Sequence, residues 1–229
     1  DEITEGHLNQ DAAVMSWQGM KGGIKAAKLG HKVVMSPTTF AYLDYIQGDK
    51  SVENSIYAGL SLEKSYTFEP VPDSVNPNYI MGGQANLWTE VIPTLSFAYY
   101  MTYPRALSIS ETLWSPKEKK NWEKFANKTL VHFNRFSEQK INVSKAVLDP
   151  IITIYKSDEK IMCKLENNVP GTSIYYTIDN TYPVQFGKKY TGPFEIPNGD
   201  LSLRTQTFLN DKAVGRALQV HREELLKRI

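Results

Sequence analysis

The sequence predicts parallel α/β structure followed by a small antiparallel β-sandwich, and three observations carry that expectation. Up to residue 142, short continuous apolar runs alternate with helical patterns. From residue 150 onward, short runs alternate apolar and polar residues and are separated by turn clusters. Between them, Val143 to Pro150 reads as a boundary, giving domains 1–142 and 150–229. Continuous apolar strands between helices are covered on both faces, which is the mark of parallel pairing. Period-two runs have one buried face, and several of them at short spacing suggest a sandwich.

In the first part, Ala12 to Trp17 (AAVMSW) reads as a buried strand. A helix over Gly23 to Leu29 follows, with Gly30 as its left-handed end. Lys32 to Ser36 (KVVMS) reads as a second strand, stopped by Pro37, and Phe40 to Gln47 as a short helix after it. Tyr79 to Gly82 is the third strand, running into the loop Gly83 to Glu90. Helices are expected around Leu95 to Thr112 and Lys117 to Lys140, with Pro104 kinking or dividing the first. Three strand–helix units are too few to close a barrel of eight strands, so an open sheet or partial barrel fits the length.

In the second part, Ile161, Cys163 and Leu165 share one face of a strand; so do Ile174, Tyr176 and Ile178, and Leu201 with Leu203. NNVPG, IDNTYP, TGPF, IPNGD and LNDK supply turn chemistry between them. Arg222 to Ile229 is mostly charged and reads as a frayed end.

A net charge of +1 gives no electrostatic reason to expect nucleic acid or an anionic membrane as partner. No apolar run is long enough to span a bilayer, and no signal peptide is visible. Cys163, the one cysteine, excludes an internal disulfide and reads as a small buried hydrophobe. There is no GxxxxGK[ST] and no GxSxG. His7, His31, His132 and His221 lack metal-ligand spacing, so neither metal nor cofactor is expected.

In parallel α/β barrels, chemistry sits on the loops after the strands. Four places qualify. Trp17 ends the first strand and either walls an apolar pocket or packs under the next helix. Tyr42 and Asp44 follow the second strand. They either offer a phenol and a carboxylate to a ligand, or Asp44 faces a helix N-terminus. Gly82 to Glu90 (GGQANLWTE) follows the third. Its two glycines permit unusual backbone angles or close approach, and lead to Trp88 and Glu90. An indole under a sugar ring with a carboxylate accepting from its hydroxyls makes a sensible saccharide site; a tight turn with a buried Trp is the alternative. Asp1-Glu2 is the fourth place.

In this order the stretches resemble glycoside hydrolase family 20, the β-N-acetylhexosaminidases and chitobiases. Asp1-Glu2-Ile3 with Glu5-Gly6 is similar to the segment after the family's fifth barrel strand. Val14-Met15-Ser16-Trp17 with Gly22-Gly23 and Ala26-Ala27 is similar to strand six and its helix. Gly30 to Pro37 with Tyr42-Leu43-Asp44 resembles strand seven, and Gly82 to Glu90 strand eight. Tyr103-Pro104-Arg105-Ala106 with Glu111 and Trp114-Ser115 resembles the closing helix. Tyr176 to Asp179 and Tyr190 to Phe194 are similar to the β-sandwich that follows the barrel in bacterial members.

The resemblance implies the C-terminal part of a (β/α)8 TIM barrel followed by an Ig-like β-sandwich. It implies that Trp17 and Trp88 wall the pocket, that Tyr42 hydrogen-bonds the acetamido carbonyl as the catalytic residue, and that Asp44 and Glu90 bind sugar hydroxyls. Arg105 reads as structural, paired with Glu111. The implied activity is removal of terminal N-acetylhexosamine from glycans by retaining hydrolysis, with the substrate's own acetamido oxygen as nucleophile. The family's acidic pair lies on strand four after an H-x-G-G-like run, which this sequence does not contain. The expectation is therefore a fragment with little activity alone, prone to self-association through open strand edges. The expected partners are glycans carrying N-acetylglucosamine or N-acetylgalactosamine, and the expected location is periplasmic or secreted. A non-catalytic carbohydrate-binding module and a structural spacer are the alternatives.

Overall fold

The computed structural model describes residue 6, residues 8–54 and residues 57–229, the side chain of Gln185 aside. Asp1 and Glu2 lie outside the described residues. The chain forms two compact units, residues 1–46 with 56–144, and residues 47–55 with 145–229. Residues 47–55 thus leave the division expected from the sequence. Their acidic side chains are held by arginines of the second unit, Asp49 by Arg228 and Glu53 by Arg216.

The first unit is α/β. Its strands are β1 (Val14–Ser16), β2 (Val33–Met35) and β3 (Ile80–Gly83), in the order β1-β2-β3, all parallel. Helix α1 (Lys21–Lys28) connects β1 to β2. Short helices α2 (Thr38–Ala41) and α3 (Leu62–Tyr66) lie between β2 and β3. Then come α4 (Leu95–Thr102), α5 (Arg105–Trp114) and α6 (Trp122–Glu138). The helix break expected at Pro104 falls between α4 and α5. The helix expected from Lys117 begins only at Trp122, where the Asn121 side chain accepts from the Lys124 amide and caps it.

The helix expected over Phe40 to Gln47 stops at Ala41. Tyr42 is extended and bridges Asn86 in parallel, with Leu43 N–H donating to the Asn86 carbonyl at 2.6 Å and Asn86 N–H to the Ala41 carbonyl at 2.9 Å. Backbone groups that would have closed a helical turn are taken by a neighbouring chain segment.

Val14, Val33 and Met35 from the strands, Ala26 and Ala27 from α1, and Ala41, Phe68 and Ile109 form one buried cluster. Ser16 ends β1 inside this core and earns its place by hydrogen bonding. Its hydroxyl donates to the Gly19 carbonyl at 2.7 Å and accepts from the Gly23 amide at 2.9 Å, anchoring the start of α1.

The two glycines of β3 have different roles. Gly82 has φ +138°, which L side chains rarely adopt. Gly83 makes a close approach, since a Cβ there would lie 2.7 Å from Leu113 Cδ2, 2.9 Å from Phe68 Cε1 and 3.3 Å from the Met35 carbonyl. Gly83→Ala is therefore expected to destabilise the first unit by about 1–3 kcal/mol through overpacking. Urea unfolding would check this, and an unchanged midpoint would show that Leu113 and Phe68 yield without cost.

The second unit is two antiparallel sheets. One has the order β10-β9-β6-β7, from Lys212–His221, Ser202–Leu209, Thr172–Thr177 and Lys188–Lys189. The other has the order β4-β5-β8, from Ile151–Ser157, Lys160–Glu166 and Phe194–Glu195. Ile152, Ile154, Cys163 and Leu165 from one sheet pack with Ile174, Leu203, Leu218 and Val220 from the other in a single core. Cys163 is fully buried, and burial pushes its thiol up to about 12. Helix α7 (Pro183–Phe186) precedes β7.

The C-terminal residues are not a frayed end. Arg222–Leu226 form helix α8, Leu225 is 0% exposed, and Arg228 pairs with Asp49. Against the expectation from its charge, one apolar side chain and one ion pair anchor this end.

Candidate functional site

The loops after β1, β2 and β3 are tied together by main-chain bonds. Ser36 N–H donates to the Ser16 carbonyl at 2.8 Å, Thr38 N–H to the Trp17 carbonyl at 2.8 Å, and Gln84 N–H to the Met35 carbonyl at 2.9 Å. Asn86 then locks the second and third loops. Its side chain donates to the Ser36 hydroxyl at 2.6 Å and accepts from Gln84 at 2.6 Å, while its backbone pairs with Tyr42. The sequence marked the stretch holding Asn86 but not this residue; an amide between two glycines and a Trp-x-Glu was the available signal.

This lacing brings three of the predicted residues together. Asp44 is 6% exposed, and its carboxylate feels the backbone amides of Asp44 itself and of Trp88. One oxygen, Oδ1, is buried without a hydrogen-bond partner among the described residues. Burial pushes the Asp44 carboxyl up, and the nearby Glu90 adds to this; the backbone donors and Arg105 pull the other way. Asp44 does not face a helix N-terminus, because no helix begins there.

Trp88 and Trp17 are 52% and 37% exposed, so neither indole is packed away under a helix. Trp17 joins the group through its carbonyl on α2. Glu90 is exposed. Tyr42 is buried, and its ring centroid lies 5.8 Å from that of Tyr45, which lies 6.1 Å from that of the half-exposed Tyr57. Tyr45 and Tyr57 were not singled out from sequence, since isolated tyrosines read as core. Burial first, then the Asp44 charge, raises the Tyr45 phenol above its ordinary value.

Arg105 frames this group from below. It is 0% exposed and donates to four carbonyls: Leu43 at 2.6 Å, Met101 at 2.7 Å, Tyr45 at 2.8 Å and Leu60 at 3.0 Å. Leu43 and Tyr45 flank Asp44, so the guanidinium sets the backbone on both sides of the carboxylate. The structural role expected for Arg105 holds, but its expected partner does not. Glu111 pairs instead with Lys128 at 3.3 Å across α5 and α6.

Chemically, the arrangement offers a buried carboxylate with a spare acceptor, a second carboxylate in its field, a phenol, and two indoles open to solvent. Such a set suits a neutral polyhydroxylated ligand with C–H faces. No group of three His, Cys, Asp or Glu that could hold a metal ion occurs among the described residues. No helix among them is long and apolar enough to cross a membrane.

Comparison with known proteins agrees with this chemistry. The family description "Glycosyl hydrolase family 20, catalytic domain" matches residues 1–117 of the 229, and "Fn3 associated" matches residues 163–217. A β-hexosaminidase of Porphyromonas gingivalis is 34% identical over 234 residues, covering 97% of this chain and 30% of that protein. A β-N-acetylhexosaminidase of Cellulomonas fimi is 32% identical over 114 residues, covering 48% of this chain and 23% of that protein. Among solved structures, a GH20 exo-β-N-acetylglucosaminidase of Vibrio harveyi in complex with N-acetylglucosamine matches at TM-score 0.58 and 30% identity. That match covers 64% of this chain and 24% of the Vibrio chain. The chain thus spans about 30% of the length of the P. gingivalis relative. From the catalytic-domain match over its first 117 residues, the chain belongs to glycosyl hydrolase family 20.

Proposed function

We propose that this chain carries the sugar-binding wall of a β-N-acetylhexosaminidase, and that its first unit is the C-terminal part of a (β/α)8 barrel. The observation that carries the proposal is the Asp44 carboxylate: buried, in the field of the Trp88 amide and of Glu90, and with Oδ1 unpartnered among the described residues. An unsatisfied buried acceptor is costly and survives where a ligand completes it. A sugar hydroxyl is the donor that fits, with Trp17 and Trp88 against the ring and the acetamido methyl. β1 and β3 each pair on one side among the described residues, leaving edges that a closed barrel would pair. Exposed in isolation, those edges are expected to drive self-association.

In the reaction proposed for the whole protein, the 2-acetamido oxygen of the substrate attacks the anomeric carbon as the glycosidic bond breaks, giving an oxazolinium ion. Water then opens that ion with retention. Tyr42 donates to the acetamido oxygen and orients it, a positioning contribution. Asp44 and Glu90 hold the hydroxyls of the terminal sugar. No carboxyl in this chain is assigned as the general acid that protonates the leaving oxygen. We place the substrate glycans, and hence the reaction, in the periplasm or outside the cell.

Two measurements test this. N-acetylglucosamine should change the tryptophan emission of the folded chain at millimolar concentration, and glucose, without the acetamide, should change it far less. Equal silence towards both up to tens of millimolar would overturn the site. On an aryl N-acetyl-β-glucosaminide, the 229-residue chain should show no turnover above a heat-killed control. Turnover that falls in Tyr42→Phe would mean that the chain holds a complete site and its own acid.

A further inference from the structure

We infer that Arg228 and Arg216 are positioning residues for the sugar site, acting through Asp49 and Glu53 on the loop that carries Tyr42 and Asp44. The inference rests on the proposed role of those two residues. Chain leaves the first unit after Ile46 and returns by Gly59, where Ile46 and Gly59 form a parallel bridge. The excursion between them belongs to the second unit from Gln47 to Ser55.

Inside the second unit that excursion is clamped twice. Arg228 grips Asp49 with two bonds of 2.6 and 2.8 Å, both side chains being mostly buried. Arg216 reaches Glu53 Oε1 at 2.6 Å, while Glu53 Oε2 accepts from the Gln47 and Gly48 amides at 2.8 and 3.2 Å. Arg216 is fixed in turn by Asp149, which accepts from its amide at 2.6 Å and from its Nε at 2.8 Å. A break in the register of β10 between Val214 and Leu218 makes this possible. Gly215, at φ +67°, turns the strand there, and a Cβ on it would lie 2.7 Å from the Leu148 carbonyl. Gly48 is equally constrained, because a Cβ would meet Ala146 Cβ and Glu53 Oε1 at 3.1 Å.

The outgoing limb of the clamped excursion begins three residues after Asp44. The returning limb carries Tyr57, whose ring packs on Tyr45, which packs on Tyr42. A bidentate guanidinium–carboxylate grip is strong in geometry and expensive to place in a mostly buried setting. A loop needing only to be closed would do without that grip and the single Arg216–Glu53 bond beside it.

The test compares Arg228→Met, which keeps the bulk, with Arg228→Lys, which keeps the charge, and with Glu53→Gln. Two readouts are taken on each folded chain well below its melting temperature: hydrogen exchange of the amides from Leu43 to Gly48, and the tryptophan response to N-acetylglucosamine. Arg228→Met should weaken the sugar response on the order of tenfold, with Arg228→Lys recovering part of it. Glu53→Gln should speed exchange at Gln47 and Gly48 and weaken the response similarly. Faster exchange with unchanged sugar affinity would reduce the clamp to a structural fastening and overturn the inference, leaving the site intact. Unchanged exchange in all three variants would also overturn it. An unsubstituted chain that ignores N-acetylglucosamine would overturn the site, and with it any positioning role, whereas exchange would still decide whether the clamp orders the loop.

Discussion

Arg105→Ala should destabilise the first unit severely, by about 4 kcal/mol or more. The guanidinium is wholly buried and serves the carbonyls of Leu43, Tyr45, Leu60 and Met101. Each acceptor left without a partner costs about 1–3 kcal/mol. Four such losses, even with water entering the space, remove at least about 4 kcal/mol from a domain whose whole stability is of order 5–15 kcal/mol. Arg105→Lys should recover little, because an ammonium has three donors on one atom and cannot reach carbonyls spread around a planar fork. Circular dichroism on heating is the measurement. A melting temperature within a few degrees of the parent would mean that the four bonds carry far less than their geometry suggests.

Asp44→Asn should do the opposite: keep the fold and lose the sugar. Burial raises the Asp44 carboxyl above its ordinary 3.8. The folded chain then holds this proton more tightly than the unfolded chain. Stability therefore falls as pH rises from the unfolded value through the raised folded one, and the deficit persists at neutral pH. Replacing the carboxylate with a neutral amide removes that penalty, though the amide loses the attraction of Arg105. The variant should be equal to the parent or up to about 1 kcal/mol more stable at neutral pH, with a flatter acid-side profile. Its response to N-acetylglucosamine should weaken roughly 10- to 100-fold, the value of one hydrogen bond to a charged acceptor. A loss of stability of about 2 kcal/mol or more would instead make Asp44 part of the framework.

How much of this was legible in the sequence depended on how far away the deciding partner lay. β1, β2 and β3 were readable because each is a short apolar run with punctuation beside it, and the break at Pro104 because proline acts locally. The extended backbone of Tyr42 departs from the helix expected there because its partner is Asn86, on another loop. The excursion from Gln47 to Ser55 was illegible for the same reason on a larger scale. Asp49 and Glu53 look like solvated loop charges until they meet arginines 179 and 163 residues away. β10 is hard to read in the sequence because Gly215 and the register break interrupt its alternation. The site residues were readable as types on post-strand loops. That Asp44 is buried, with Oδ1 unpartnered among the described residues, while Trp88 stands open, depends on packing that no spacing encodes.

The excursion also constrains how such a protein can change over generations. A module joined by a single linker can be gained, lost or exchanged by one break in the gene. Here the second unit is assembled from two separate stretches, and the shorter one is embedded in the coding sequence of the first. A recombination event that replaced everything after Ser144 would deliver a new sandwich but leave the old Asp49 and Glu53 behind, facing arginines they were never matched to. The two units are therefore expected to be inherited as a pair, with acidic residues at 49 and 53 changing in step with basic residues at 228 and 216.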